Sequence, residues 1–280
     1  MKNLVYLFLF CSAAVFAQKS DYPNVITAKN VRSWVSFLAS DNMKGRANGS
    51  PEMKFAAEDI ARHFEFAGLK PLGKNKFITE YSYSSRNGSI NERNVIGYIE
   101  GSDPLLKNEY IVLSAHFDHI GISHGIAPDS INNGADDNAT GTAALIGISI
   151  FLRQNRIKPG RSIVFAAFSG EENGMRGSRA FVQDPPIPLK SIYLNMNFEM
   201  IGHSEELGKG KYYMTGCSKS NLDDVIKQLD TDQSFRLVDT IKIAEMLFSM
   251  SDNISFSRIG SREGNSVSIP CLWLNKSGVI

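Results

Sequence analysis

Apolar and polar positions along this chain fall into helix-like and strand-like stretches that alternate through its middle. A helix is expected near Val31–Ala39. A second opens at Ser50, where a capping hydroxyl is followed by proline at the first helical position and then by Glu52. Phe55, Ile60, Phe64 and Phe66 recur along it until Gly68 closes it. Beyond that point short, nearly continuous apolar runs take over: 94–100 (NVIGYIE), 110–116 (YIVLSAH), 162–168 (SIVFAAF) and 191–197 (SIYLNMN). Helical stretches separate them, one from about Thr140 to Leu152 and a shorter one near Ser178–Val182. Apolar strands interleaved with helices predict an α/β fold, a three-layer sandwich with a mixed, largely parallel central sheet and helices on both faces.

Composition narrows the picture. With 280 residues, 42% of them hydrophobic, the chain can bury a large core, and a formal net charge of +1 gives no electrostatic reason to expect nucleic acid as a partner. Residues 1–17 hold Lys2, an apolar run from Leu4 to Phe10 and small residues ending in Val15-Phe16-Ala17. This reads as a secretory signal peptide, too short for a membrane span, with cleavage after Ala17. The expected location is therefore secreted or periplasmic. Bulky Phe10 before Cys11 argues against a lipoprotein. Residues 18–280 are expected to form a single catalytic domain. Cys217 and Cys271 remain and would be free to pair in an oxidising compartment, but neither belongs to a CxxC motif of the kind that binds zinc.

Four acidic or histidine-bearing stretches lie at or just past the ends of these runs: AHFDH (115–119), GADDNATG (134–141), SGEEN (169–173) and NFEMIG (197–202). In a parallel sheet, loops at the carboxyl ends of the strands converge on the ligand site. Carboxylates and imidazole brought together there, without thiolates, are donors for a divalent metal such as zinc. Taken singly, Asp136, Asp137 and Asn138 have an alternative use as helix caps, and Glu171 with Glu172 as a solvated acidic turn. Their occurrence in order, each at a strand end, favours one shared hydrolytic metal site.

Taken together, HxD, DDNATG, GEE and NxEMIG resemble the secreted bacterial zinc aminopeptidases that use two co-catalytic zinc ions and are related to glutaminyl cyclases. The resemblance runs from about Val31 to Gly260 and includes the phrase at 43–73 (MKGRANGSPEMKFAAEDIARHFEFAGLKPLG). It implies that His116, Asp137 and Glu199 hold one zinc, and that Asp137, as a bridge, holds the other together with Glu172. It also implies that Glu171 is the general base and that Asp118 orients His116. Glu199 stands where many members of the family carry aspartate. Asp136 reads as support for its loop, His119 has no counterpart and is given a structural place, and His203 is left unassigned.

Residues 261–280 lose the resemblance, apart from a strand expected in Ile269–Leu274, so the C-terminal end is divergent or truncated. The family closes its second zinc with a histidine in a Tyr-His-Thr-like loop, and no histidine follows His203 here. The expectation is one zinc held tightly and a second held weakly, with peptides as substrates. The two other functions in view are a mononuclear-zinc acyltransferase of the glutaminyl cyclase kind and a catalytically impaired homologue that binds peptide or metal. Substrate side-chain preference and oligomeric state are not encoded in any motif found.

Overall fold

The computed structural model describes residues 26–86, 88–123, 129–202, 211–219, 221–229, 236–237 and 244–262. The expected leader, the strand expected at 269–274, His203 and Cys271 lie outside them. In chain order the elements are helix α1 (Ala28–Leu38), helix α2 (Pro51–Phe66), strands β1 (Lys70–Pro71), β2 (Ile78–Ser85), β3 (Gly88–Ile99) and β4 (Tyr110–His116), and helix α3 (Gly141–Gln154). There follow β5 (Ser162–Phe168), α4 (Arg176–Gln183), β6 (Ile192–Asn197), β7 (Lys211–Tyr212), α5 (Leu222–Leu229), β8 (Arg236–Leu237), α6 (Ala244–Phe248) and α7 (Asn253–Arg262). No helix among the described residues is long and apolar enough to cross a membrane.

The main sheet runs β1-β3-β5-β4-β6, with β2 also paired to β3. Strands β5, β4 and β6, which make up one side of it with β6 at the edge, are parallel. The other side is antiparallel: β3 opposes β5 and forms a hairpin with β2, in register from Ile78 opposite Val95 to Ser85 opposite Gly88. The hairpin is what makes the sheet mixed. Strand β2 reads ITEYSYSS and alternates between half-buried and exposed positions, so it has no continuous apolar run.

Side chains of successive strand residues point to opposite faces. On one face Val95, Leu113, Ala115, Phe165 and Ala167 pack with Ile60 and Phe64 of α2 and with Ala143, Leu145 and Ile146 of α3. On the other, Ile96, Val112, Val164, Ala166 and Phe168 meet Phe181 of α4 and Phe256 of α7. These are the three layers, and truncating a fully buried ring such as Phe165 to alanine would cost about 3–5 kcal/mol.

Helix α2 starts as its sequence requires, with the Ser50 hydroxyl accepting from the Met53 amide at 3.4 Å. Its buried stripe is Met53, Ala56, Ala57, Ile60 and Phe64, whereas Phe55 and Phe66 are exposed. The reason is angular: at 3.6 residues per turn, positions 53, 57, 60 and 64 share a face, and 55 and 66 fall off it. Because β4, β5 and β6 run in parallel, His116, the Ser169-Gly170 turn and Glu199 leave the sheet along the same edge.

A candidate metal centre at the strand ends

His116 closes β4 fully buried, and its carbonyl accepts from Thr142 of α3 at 2.9 Å. Its Nδ1 lies 3.3 Å from the Asp118 carbonyl oxygen and 3.6 Å from Asp118 Oδ1. Its Nε2 faces Asp137 Oδ1 at 3.2 Å and Glu199 Oε1 at 3.9 Å. Neither His116 Nε2 nor Asp137 Oδ1 has a hydrogen-bond partner, although both are buried. The two atoms meet as an ion pair without a hydrogen bond between them, an arrangement that a cation held by both would also satisfy.

Asp137 belongs to a kinked turn, Ala135–Thr140, in which Asp137 and Asn138 depart from helical geometry before α3 begins. The neighbours of Asp137 hold this turn in place. Asp136 Oδ1 accepts from the Gly202 amide at 2.7 Å. Asn138 donates to the Phe198 carbonyl at 2.9 Å and accepts from Gly141 and Met200 amides at 3.1 and 3.2 Å. The turn is thus stapled to the loop after β6, which leaves the Asp137 carboxylate free to face the hollow.

Glu199 is anchored through one oxygen only. Its Oε2 accepts from Asn197 Nδ2 at 3.1 Å and from the Ser251 hydroxyl, while Oε1 is the atom that faces His116. Asp118 clamps the next loop: its carboxylate accepts from the Glu171 and Glu172 amides at 3.2 Å each and from Asn48 Nδ2 at 2.7 Å. Gly170 makes that turn with φ of +72°, and a Cβ there would meet the Tyr81 hydroxyl at 2.8 Å. Tyr81 itself donates to the Ser169 carbonyl at 2.9 Å, so the β2–β3 hairpin supports the same turn.

His119 also comes to the site. Its Nδ1 lies 2.7 Å from Glu172 Oε1 and 3.8 Å from Asp137 Oδ2. Among the described residues, His119, Asp137 and Glu172 form a group whose donor atoms all lie within 4.8 Å of one another. Beneath them the buried Arg46 guanidinium donates to the carbonyls of Phe117, Leu38, Asn133 and Gly134 at 2.6–2.8 Å. Burial lowers its pKa to about 10 against the pull of Asp118, Asp137 and Glu172, so at neutral pH it remains a fixed cation.

The electrostatics call for positive charge. Burial pushes the Glu171 carboxyl up to about 9, with Asp252, Glu199 and Asp118 adding to the rise and His116 opposing it. Burial likewise raises Glu199 to about 7, and the fully buried Asp252 to about 6. His116 is raised as well, from a different cause: burial disfavours its charged form, but Asp118, Asp137, Glu171 and Glu199 outweigh that and lift its pKa well above the usual value. Carboxylates packed this closely are relieved either by protons or by a cation. The donors present, imidazole nitrogens and carboxylate oxygens, suit zinc.

Every candidate site residue lies within this region: His116, Asp118, Asp137, Glu171, Glu172 and Glu199. Residues that carried no assigned role join them. His119 lies inside the AHFDH motif, and its ring stands at the site beside Glu172 and Asp137 and not in the purely structural place expected of it. Arg46 lies within the phrase at 43–73, but nothing in its spacing marks it as buried. Ser251 and Asp252 arrive from the loop before α7, far along the chain and without a motif.

Known proteins agree with this architecture. A vacuolar membrane protease of Lodderomyces elongisporus is 32% identical over 125 residues, 44% of this chain and 12% of that protein, so the chain spans about one eighth of that relative. A Zn-dependent exopeptidase from Parabacteroides distasonis superposes with a TM-score of 0.66 at 16% identity, over 92% of this chain and 86% of that one. Porphyromonas gingivalis glutaminyl cyclase does so at 0.65 and 15%, over 90% and 84%. At such identities the likeness is one of fold. The model of peptidase family M28 matches residues 94–267, more than half the chain and all four stretches that build the site, and the chain therefore belongs to that family.

Proposed function

We propose that the protein is a zinc-dependent exopeptidase that removes N-terminal residues from peptides, exported by way of the leader at 1–17. The observation that carries this reading is the placement of Asp137. One carboxylate oxygen faces the orphaned His116 Nε2, while the other is turned towards the side where Glu172 lies. Such a carboxylate is suited to span two cations. His116, Asp137 and Glu199 would hold one zinc, and Asp137 with Glu172 would contribute to a second. When bound, zinc polarises a scissile carbonyl and makes water more acidic.

The chain's own residues account for the rest. Asp118 holds the Glu171 and Glu172 amides together, which fixes the base and the neighbouring ligand on one rigid turn. Glu171 takes a proton from the attacking water and returns it to the leaving amine. Asn197 and Ser251 leave Glu199 a single free oxygen to offer.

The test is zinc per chain, measured together with turnover of an aminoacyl-anilide panel and of a peptide beginning with glutamine. Zinc binding with release of anilide is expected. Cyclisation of the glutaminyl peptide without anilide release would instead favour an acyltransferase, in keeping with the shared fold. Zinc bound without turnover of either substrate would mark a binding homologue.

A further inference from the structure

Resting on the zinc peptidase reading, we infer that His119 supplies the neutral nitrogen donor of the second metal position, completing it with Asp137 and Glu172. The four motifs of the resemblance assign two carboxylates to that position. The fold adds an imidazole from the same segment that provides His116.

Three observations carry this assignment. First, the spacing is right: two ligands about 2.0–2.1 Å from a tetrahedral zinc stand roughly 3.3 Å apart, and the separations from His119 Nδ1 to Glu172 Oε1 and Asp137 Oδ2, 2.7 and 3.8 Å, bracket that value. Second, Asp137 is divided between two imidazoles, with Oδ1 towards His116 and Oδ2 towards His119, as a bridging carboxylate between two histidine-bearing positions would be. Third, the place of His119 is built. Its amide donates to the Arg46 carbonyl at 3.1 Å, and Gly134, at φ +62°, leaves the ring its space, since a Cβ there would stand 2.6 Å from His119 Cγ. For Nδ1 to ligate, the ring must carry its proton on Nε2.

The alternative role for His119 is to donate a hydrogen bond from Nδ1 to Glu172 and so merely position that carboxylate. The two roles separate experimentally. The full-length protein is stripped of metal and titrated with zinc, and the doubly loaded form is examined by X-ray absorption for imidazole per metal. The wild type should bind two equivalents with one imidazole per zinc. His119→Ala should keep one tight equivalent, lose affinity for the second by on the order of 10²-fold or more, by comparison with even outer-sphere losses, and halve the imidazole count.

Rescue sharpens the result. His119→Asp restores a ligand but not a donor, so it should recover the second equivalent. His119→Asn retains a donor towards Glu172 and should recover less. The assignment is overturned if His119→Ala binds two zincs as the wild type does, if Asn rescues and Asp does not, or if His124→Ala or His203→Ala removes the second equivalent instead. Should the variants fail to fold, the wild-type imidazole count decides: half an imidazole per zinc rules His119 out. A wild type that binds no zinc at all would sink the zinc reading itself, an outcome distinct from two zincs bound without His119.

Discussion

The two sides of the site are built differently. The deep side, His116 and Glu199, is nearly closed to solvent, with side-chain exposures of 0% and 7%, and the atom of each that faces away from the hollow is engaged: His116 Nδ1 against Asp118, Glu199 Oε2 by Asn197 and Ser251. The outer side, His119 and Glu172, is more open at 13% and 21%, and is hung from backbone, the Arg46 carbonyl on one flank and the Asp118-clamped turn on the other. Preorganised ligands lose little freedom on binding, whereas ligands on a turn must be ordered each time. The deep side should therefore hold metal more tightly than the outer side, while Glu171, on the same Asp118-clamped turn as Glu172, keeps its carboxyl within the field of His116 and Glu199.

The sharpest test of that division is Glu171→Gln. If Glu171 serves as the base and not as a ligand, this variant should bind zinc on both sides as the wild type does while turnover falls by on the order of 10²–10⁴-fold or more. Turnover unchanged on a verified substrate would break the assignment. Next comes Asp137, which belongs to both sides. Asp137→Asn should weaken both equivalents, each by on the order of 10²-fold or more. Asp136→Asn, which loses only the charge that meets the Gly202 amide, should loosen the 134–141 turn with little change in stoichiometry. Zinc titrations showing the reverse pattern would exchange the roles of the two aspartates.

A smaller effect should be confined to one side. Ser251→Ala removes one of the two donors to Glu199 Oε2, leaving Asn197, and should cost about 10–100-fold in affinity for the tight equivalent alone. Equal weakening of both equivalents would show that the two sides share one support.

How much of this was legible before the structure depended on the kind of signal. The parallel strands β4 and β5 announce themselves because their later residues are buried on both faces and so read as apolar runs, and β6 does so in part, Tyr193 being exposed. Strand β2 does not: it alternates between half-buried and exposed positions, and its pairing appears only when the hairpin aligns it with β3. The ligand candidates were legible because four such stretches follow one another in order, whereas any one of them alone has other uses, as a helix cap or a solvated turn. Arg46 was not, since arginine is rarely buried and only the fold shows it satisfying four carbonyls. His119 and Glu172 are 53 positions apart in sequence, and Ser251 and Glu199 are 52, so their contacts exist only after the loops have converged.

The smallest expected effect concerns the foundation of the outer side. Gly49, next to the Asn48 that helps clamp Asp118, donates its amide to Glu92 Oε1 at 2.5 Å, and Glu92 is buried. Burial is the main cause that raises this carboxyl from about 4.5 to about 6, with Asp118 adding to the rise and Gly49 and Arg93 opposing it. The folded state therefore holds the proton more firmly than the unfolded chain does. Charged Glu92 costs stability above pH 6, and that cost is relieved as pH falls from about 6 towards 4.5. A rise of this size corresponds to about 2 kcal/mol. Glu92→Gln keeps the acceptor for Gly49 and removes the charge, so the metal-free variant should be more stable than the wild type by up to about 2 kcal/mol in urea melts at pH 8. The advantage should fade near pH 4.5. If instead the wild type is the more stable at pH 8, the clamp under the outer side depends on a charge that Arg93 or another cation compensates, and the two sides of the site differ less in construction than their exposures imply.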